Sequence, residues 1–145
     1  MTSISRQQLS QAIAQLMPNI IRGIQLDFFV RRRVTQTQLL MVLAIHAHQR
    51  STMSALARGL HVSMPTATGI VRRLAQAGYV RRSVGEADRR QVLVRLTAKG
   101  DAFIQAFQQI IRRRWEDVLR SLQPRERDAF YHVVTTLQSQ FQRPS

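Results

Sequence analysis

Apolar residues recur at helical spacing over residues 9–30, at Leu9, Ile13, Leu16, Ile20 and Ile24, which predicts an amphipathic helix. Pro18 falls inside the run and is expected to kink or divide it. Arg31–Arg33 close it; three cations suit a helix C-terminus and equally suit phosphate contact. A second helix is predicted from "TQTQLLMVLAIHAH". Thr35 and Gln38 stand at capping-box spacing, and Leu39, Leu40, Val42, Leu43 and Ile45 make this helix mostly buried. "STMSALARGLHVS" then reads as a short helix capped by Ser51 or Thr52, with Met53, Leu56, Ala57 and Leu60 inward and a tight turn at His61-Val62.

The next run, "MPTATGIVRRLAQA", has Ser63 in place as its cap, Pro65 in its first turn and Gly78 just past its end. Two helices joined by a turn of about three residues make a helix-turn-helix. On the second of them Ala67, Ile70, Val71 and Leu74 point one way. Pro65, Gly69, Arg72, Arg73 and Gln76 point the other, flanked by Thr66 and Thr68. Glycine inside a helix costs about 1 kcal/mol relative to alanine; at Gly69 it leaves the outer face open to a large partner.

After Gly78 the period changes from helical to alternating. "YVRRSV" and "QVLVRL" read as two short strands, with Val92, Val94 and Leu96 on one face and "GEADRR" as the hairpin tip. A helix-turn-helix followed by such a hairpin is a winged helix. The tip arginines Arg89 and Arg90 are placed to reach a DNA groove beside the second helix, since narrow minor grooves attract inserted arginines. Asp88 is expected to hold one guanidinium in a bidentate pair. Thr97 caps a long helix with the stripe Phe103, Phe107, Ile110, Ile111, Trp115, Val118 and Leu122. Pro124 starts the last helix, with Ala129, Phe130, Val133, Val134, Leu137 and Phe141 inside. The fold class is therefore mainly α (α+β): a single domain over 1–145, with a winged helix-turn-helix lobe at 35–96. Long terminal helices at 5–31 and 97–142 are more than such a lobe needs, and they predict a subunit interface. A dimer would set two recognition helices about 34 Å apart, one DNA turn.

Composition sharpens this picture. Lys+Arg is 22 against Asp+Glu 8, for a net charge of +14, and Lys99 is the one lysine. Residues 50–100 hold ten Lys/Arg and two Asp/Glu, more than half of that net charge. Such an excess implies a polyanionic partner, nucleic acid before anionic membrane. There is no cysteine, hence no disulfide or thiolate metal site. His46 and His48 point to different helix faces, with His61 in a turn and His132 in the last helix, so no metal and no cofactor are expected. The N-terminal run is polar, without a signal-peptide core, and no apolar run reaches membrane-spanning length; a cytoplasmic protein with no membrane partner is expected. No nucleophile elbow, zinc-protease, phosphate-loop or paired-carboxylate pattern occurs, so an enzyme is not expected.

"LARGLHVSMPTATGIVRRLAQAGYVRR", followed by "DRRQVLVR" and "LTAKG", resembles the MarR family of bacterial and archaeal transcription regulators. The resemblance covers nearly the whole chain. It implies a homodimer with interlocked terminal helices, a palindromic double-stranded DNA operator, repression, and a small aromatic or phenolic effector that releases the DNA. Carried over by position, recognition-helix contacts fall on Ser63, Pro65, Thr66, Thr68, Arg72 and Arg73, and wing contacts on Asp88, Arg89 and Arg90. Oxidant-sensing branches of the family use cysteine, so that mechanism is excluded. The effector-binding residues vary too much across the family to transfer. The alternative is a non-specific architectural or nucleoid-type DNA binder, which the charge alone would also suit.

Overall fold

A computed structural model of the chain describes residues 3–48 and 51–141, and in residues 24–27, 30 and 141 the backbone alone. The expected inward side chains Ile24 and Phe141 therefore lie outside the described residues, as does residue 142 of the expected C-terminal interface. Helix α1 (Arg6–Arg32) starts with a complete capping box, in which the Gln8 N–H donates to Ser5 Oγ at 3.2 Å and the Ser5 N–H to Gln8 Oε1 at 2.9 Å. Pro18 does not divide it. The proline removes one bond, from the Ala14 carbonyl, in an exposed stretch where water can serve that oxygen. Helix α2 (Gln36–His48) opens with the same device at Thr35 and Gln38. It buries Leu39, Met41, Val42 and Ile45, whereas Leu40, expected inside, is 46% exposed because it projects from the opposite side of the helix.

Strand β1 (Ser51–Thr52) precedes helices α3 (Met53–Gly59) and α4 (Met64–Gln76). Thr52, not Ser51, caps α3, and the buried Ser51 belongs to the strand. Strands β2 (Val80–Val84) and β3 (Val92–Leu96) complete an antiparallel sheet in the order β1-β3-β2. Its register pairs Val80 with Leu96, Arg82 with Val94 and Val84 with Val92 on one face, and Arg81 with Arg95 on the other. Helix α5 (Ala98–Leu119) and helix α6 (Pro124–Phe141) close the chain.

The chain forms two compact units, with the boundary in sequence between Ile110 and Ile111. The first holds the apolar core, where α1, α2, the helix-turn-helix, the sheet and the first turns of α5 converge on Phe28, Met41, Ile45, Leu74, Val94, Phe103 and Ile104. Phe28 meets Phe103 and Phe107 at centroid distances of 4.8 and 5.1 Å, and Phe103 meets Tyr79 at 5.0 Å. Each fully buried side chain of this size contributes about 1.5–3 kcal/mol through apolar burial. The second unit is the rest of α5 with α6. Trp115 and Phe130 touch across it at 6.0 Å, and a groove of about 690 Å³ is lined by Trp115, Leu119, Phe130, Tyr131 and Val134. The expected inner stripe of α6 is open to solvent at Phe130, Val133 and Leu137, as is that of α1 at Leu9, Ile13 and Leu16.

Candidate nucleic-acid interface

The exposed face of α4 is produced by local chemistry at both of its ends. Ser63 holds extended backbone (φ −68°, ψ 157°) and its hydroxyl accepts the Thr66 N–H at 3.2 Å. The same hydroxyl meets Thr66 Oγ1 at 2.8 Å. Pro65 sits in the first turn, where no N–H is required. At the other end Gly78 takes φ 83°, and two bonds, Gly78 N–H to Ala75 O at 3.0 Å and Tyr79 N–H to Leu74 O at 2.9 Å, form a Schellman turn. Ala67, Val71 and Leu74 are buried, which fixes the rotation of the helix. Pro65, Thr66, Thr68, Arg72 and Arg73 consequently face outward. A Cβ built on Gly69 would meet nothing within 4 Å, so the fold itself does not require glycine there.

The turn between α3 and α4 bends at His61, a non-glycine residue in the left-handed region (φ 53°). Its N–H bonds the Arg58 carbonyl and the next N–H bonds Ala57 O. The wing follows from β2 and β3. At its tip the Gly85 N–H donates to Gln91 O at 2.9 Å, and the Gln91 N–H to Asp88 O at 3.1 Å. Gly85 is needed for this closure, since a Cβ there would lie 2.7 Å from the Asp88 carbonyl oxygen. The expected Asp88–guanidinium pair does not form. The Asp88 carboxylate instead accepts the backbone N–H of Arg90 at 2.9 Å and so shapes the turn, a common local use of aspartate. Arg89 and Arg90 are exposed, and among the described residues neither has an acidic partner within ion-pair distance.

All nine expected contact residues lie in the first unit, six on or next to α4 and three at the wing tip. Sequence reasoning misses two further cations. Arg82 donates from Nη2 to the Thr68 carbonyl at 3.3 Å and ties β2 to the middle of α4. Its signal is a cation on the strand face that alternation assigns to apolar residues. Lys99 donates to the Ala77 carbonyl at 2.6 Å, a contact 22 residues away in sequence that no local pattern reveals. A groove of about 300 Å³ runs beside α4, lined by Thr52, Ser54, Met64, Thr68, Arg82 and Arg90. Among the described residues no three His, Cys, Asp or Glu side chains gather as a metal site, and no helix is long and apolar enough to cross a membrane.

Residues 34–92 match the model of the MarR family. The HTH-type transcriptional repressor NicR of Pseudomonas putida is 31% identical over 102 residues, which are 70% of this chain and 65% of NicR. The chain spans 65% of the length of the curated relatives it matches, which are described as HTH-type transcriptional regulators. The crystal structure of RV1404 from Mycobacterium tuberculosis superposes with a TM-score of 0.83 at 18% identity, covering 96% of each chain. A point mutant of Staphylococcus aureus MepR, bound to an oligodeoxyribonucleotide, gives a TM-score of 0.69 at 20% identity over 97% of this chain and 100% of that one. These two likenesses establish the winged-helix fold.

Proposed function

We propose that this chain, whose residues 34–92 match the model of the MarR family, belongs to that family and is a homodimeric, sequence-specific DNA-binding repressor of transcription in the cytoplasm. The observation that carries this reading is the joint exposure of two surfaces. Thr66, Thr68, Arg72 and Arg73 face outward from α4, and Arg89 and Arg90 stand at the wing tip beside it with no acidic partner among the described residues. In this reading α4 enters the major groove, where Arg72 or Arg73 reads a guanine edge and the threonines meet thymine methyls or phosphates. Ser63 and Pro65 set the first turn against the backbone. The wing lays Arg89 and Arg90 along the flanking minor groove, with Asp88 holding the tip in shape.

The apolar stripe left open on α1 at Leu9, Ile13, Leu16 and Ile21 favours a second copy of the chain as its cover. A palindromic operator follows from the two-fold symmetry of such a pair. Release by a small aromatic or phenolic effector belongs to the same reading and rests on the family alone. The net charge of +14 favours a second reading, a non-specific architectural binder. Enrichment of duplexes from a random pool, followed by competition with unselected DNA, separates the two. A shared half-site repeated about one helical turn apart supports the regulator, and an unenriched pool overturns it.

A further inference from the structure

Lys99 is the one lysine among 22 basic residues, and no DNA contact above uses it. Its Nζ donates to the Ala77 carbonyl at 2.6 Å and stands 4.7 Å from the centroid of the Tyr79 ring. Ala77 is the C-cap of α4. The Schellman turn satisfies the Leu74 and Ala75 carbonyls, and the start of α5 serves those of residues 77–79. Lys99 takes Ala77 O, Thr97 Oγ1 donates to Gly78 O at 2.5 Å, and the Thr97 N–H donates to Tyr79 O at 3.0 Å. Gly100 completes the junction, because a Cβ there would collide with the Tyr79 carbonyl oxygen. The last turn of α4 is thus laced to the first turn of α5. The only charge in this lacing lies where the helix dipole is negative and favours a cation.

We propose that Lys99 is a positioning residue for DNA recognition, fixing the direction of α4 from the end opposite the one that carries Ser63, Thr66 and Thr68; this rests on the function proposed above. Geometry supplies the lever. A thirteen-residue helix is about 20 Å long, so a tilt of about 5° at one end moves the other by about 1.7 Å. Hydrogen bonds to base edges tolerate only about 0.5 Å of distance variation. A tilt of that size on releasing Ala77 would put a base contact out of reach without removing any group that touches DNA.

The test compares wild type, Lys99→Met, Lys99→Gln and Lys99→Arg on an enriched duplex and on a random one, at a temperature where melting curves show each protein folded. Lys99→Met is expected to bind the enriched duplex about tenfold more weakly, the order of one lost base contact, with its affinity for random DNA unchanged. Lys99→Gln, which keeps a donor without the charge, should fall between, and Lys99→Arg should restore binding. Amides in the last turn of α4 should exchange faster in Lys99→Met than in wild type. Should Lys99→Met fail to fold, Lys99→Gln carries the same comparison. Equal affinity of the neutral variants and wild type for the enriched duplex would overturn the proposal. So would a parallel loss on both duplexes, which marks a direct phosphate contact, or a failure of arginine to rescue. A wild type without preference for any duplex defeats the regulator reading itself and this inference with it, whereas the other outcomes leave that reading standing.

Discussion

Gly85→Ala perturbs the wing by adding one methyl group and deleting no contact. The added Cβ would sit 2.7 Å from the Asp88 carbonyl oxygen and 3.4 Å from Gln91 Cβ. An ordinary C···O approach is about 3.3–3.6 Å, so the tip must open by about 0.6–0.9 Å. The atom that has to give is backbone, held by the Gly85–Gln91 and Gln91–Asp88 bonds on either side. Overpacking of this kind costs about 1–3 kcal/mol, and in a chain of 145 residues each kcal/mol lowers Tm by roughly 2–4 °C. The consequence for DNA is bounded differently. Strain present in both free and bound protein cancels, so affinity falls only by what the displaced Arg89 and Arg90 would have supplied.

That bound can be measured. Wild type, Gly85→Ala, the double variant Arg89→Ala/Arg90→Ala and the triple combination are titrated against one enriched duplex at a single salt concentration. Charge-assisted hydrogen bonds contribute about 1.5–3 kcal/mol each where dry and less at a solvated tip, so the double variant should lose on the order of ten- to a hundredfold. Gly85→Ala should approach but not exceed that loss, and the triple variant should bind no more weakly than the double. Additive losses in the triple variant would show that the strain acts elsewhere and would refute the assigned route. A Gly85→Ala protein with wild-type melting and wild-type affinity would refute the closed tip itself.

Arg72→Ala or Arg73→Ala should cost about 1–3 kcal/mol at one operator position and relax discrimination there; gel shifts over single-base operator variants check this, and unchanged affinity for both variants excludes α4 as the reader. Glutamate at both Ile13 and Leu16, which are 50% and 43% exposed, should turn a dimer into a monomer by sedimentation and weaken operator binding steeply; a dimer that survives places the interface elsewhere. His61→Gly should relieve the left-handed strain at φ 53°, for a gain of up to about 1 kcal/mol. Its melting temperature should rise while DNA affinity holds, and a lower Tm would assign the His61 side chain a stabilising contact.

The elements that place the proposed recognition surface were legible because their signals are local. Ser63, Pro65 and Gly78 act on backbone groups within a few residues, and alternation in "QVLVRL" finds the face that buries Val94 and half-buries Leu96, though Val92 toward the tip is exposed. What escaped is long-range or too short to carry a period. Strand β1 is two residues long and exists only because β3 offers Val94 and Leu93 as partners. Pro18 carries a strong local penalty, yet α1 runs through it on the remaining helical bonds. Asp88 beside two arginines reads as an ion pair, but a side chain that can reach an N–H two residues on shapes the turn instead.

The basic residues around α4 divide by partner, and the division bears on which DNA-binding reading deserves the first experiment. Arg82 and Lys99 bond the helix's own carbonyls, at Thr68 in its middle and Ala77 at its end. Among the described residues Arg72, Arg73, Arg89 and Arg90 have no bond from their guanidinium groups and face solvent. A protein that holds DNA by charge alone gains from every cation aimed outward and has no use for directing a helix. Here two cations instead bond backbone oxygens of the helix itself, Thr68 O in its middle and Ala77 O beyond the reach of the Schellman turn. Aiming α4 has value only if its side chains must meet particular base edges within hydrogen-bonding tolerance. The use of Arg82 and Lys99 therefore weighs toward reading a sequence over coating a duplex.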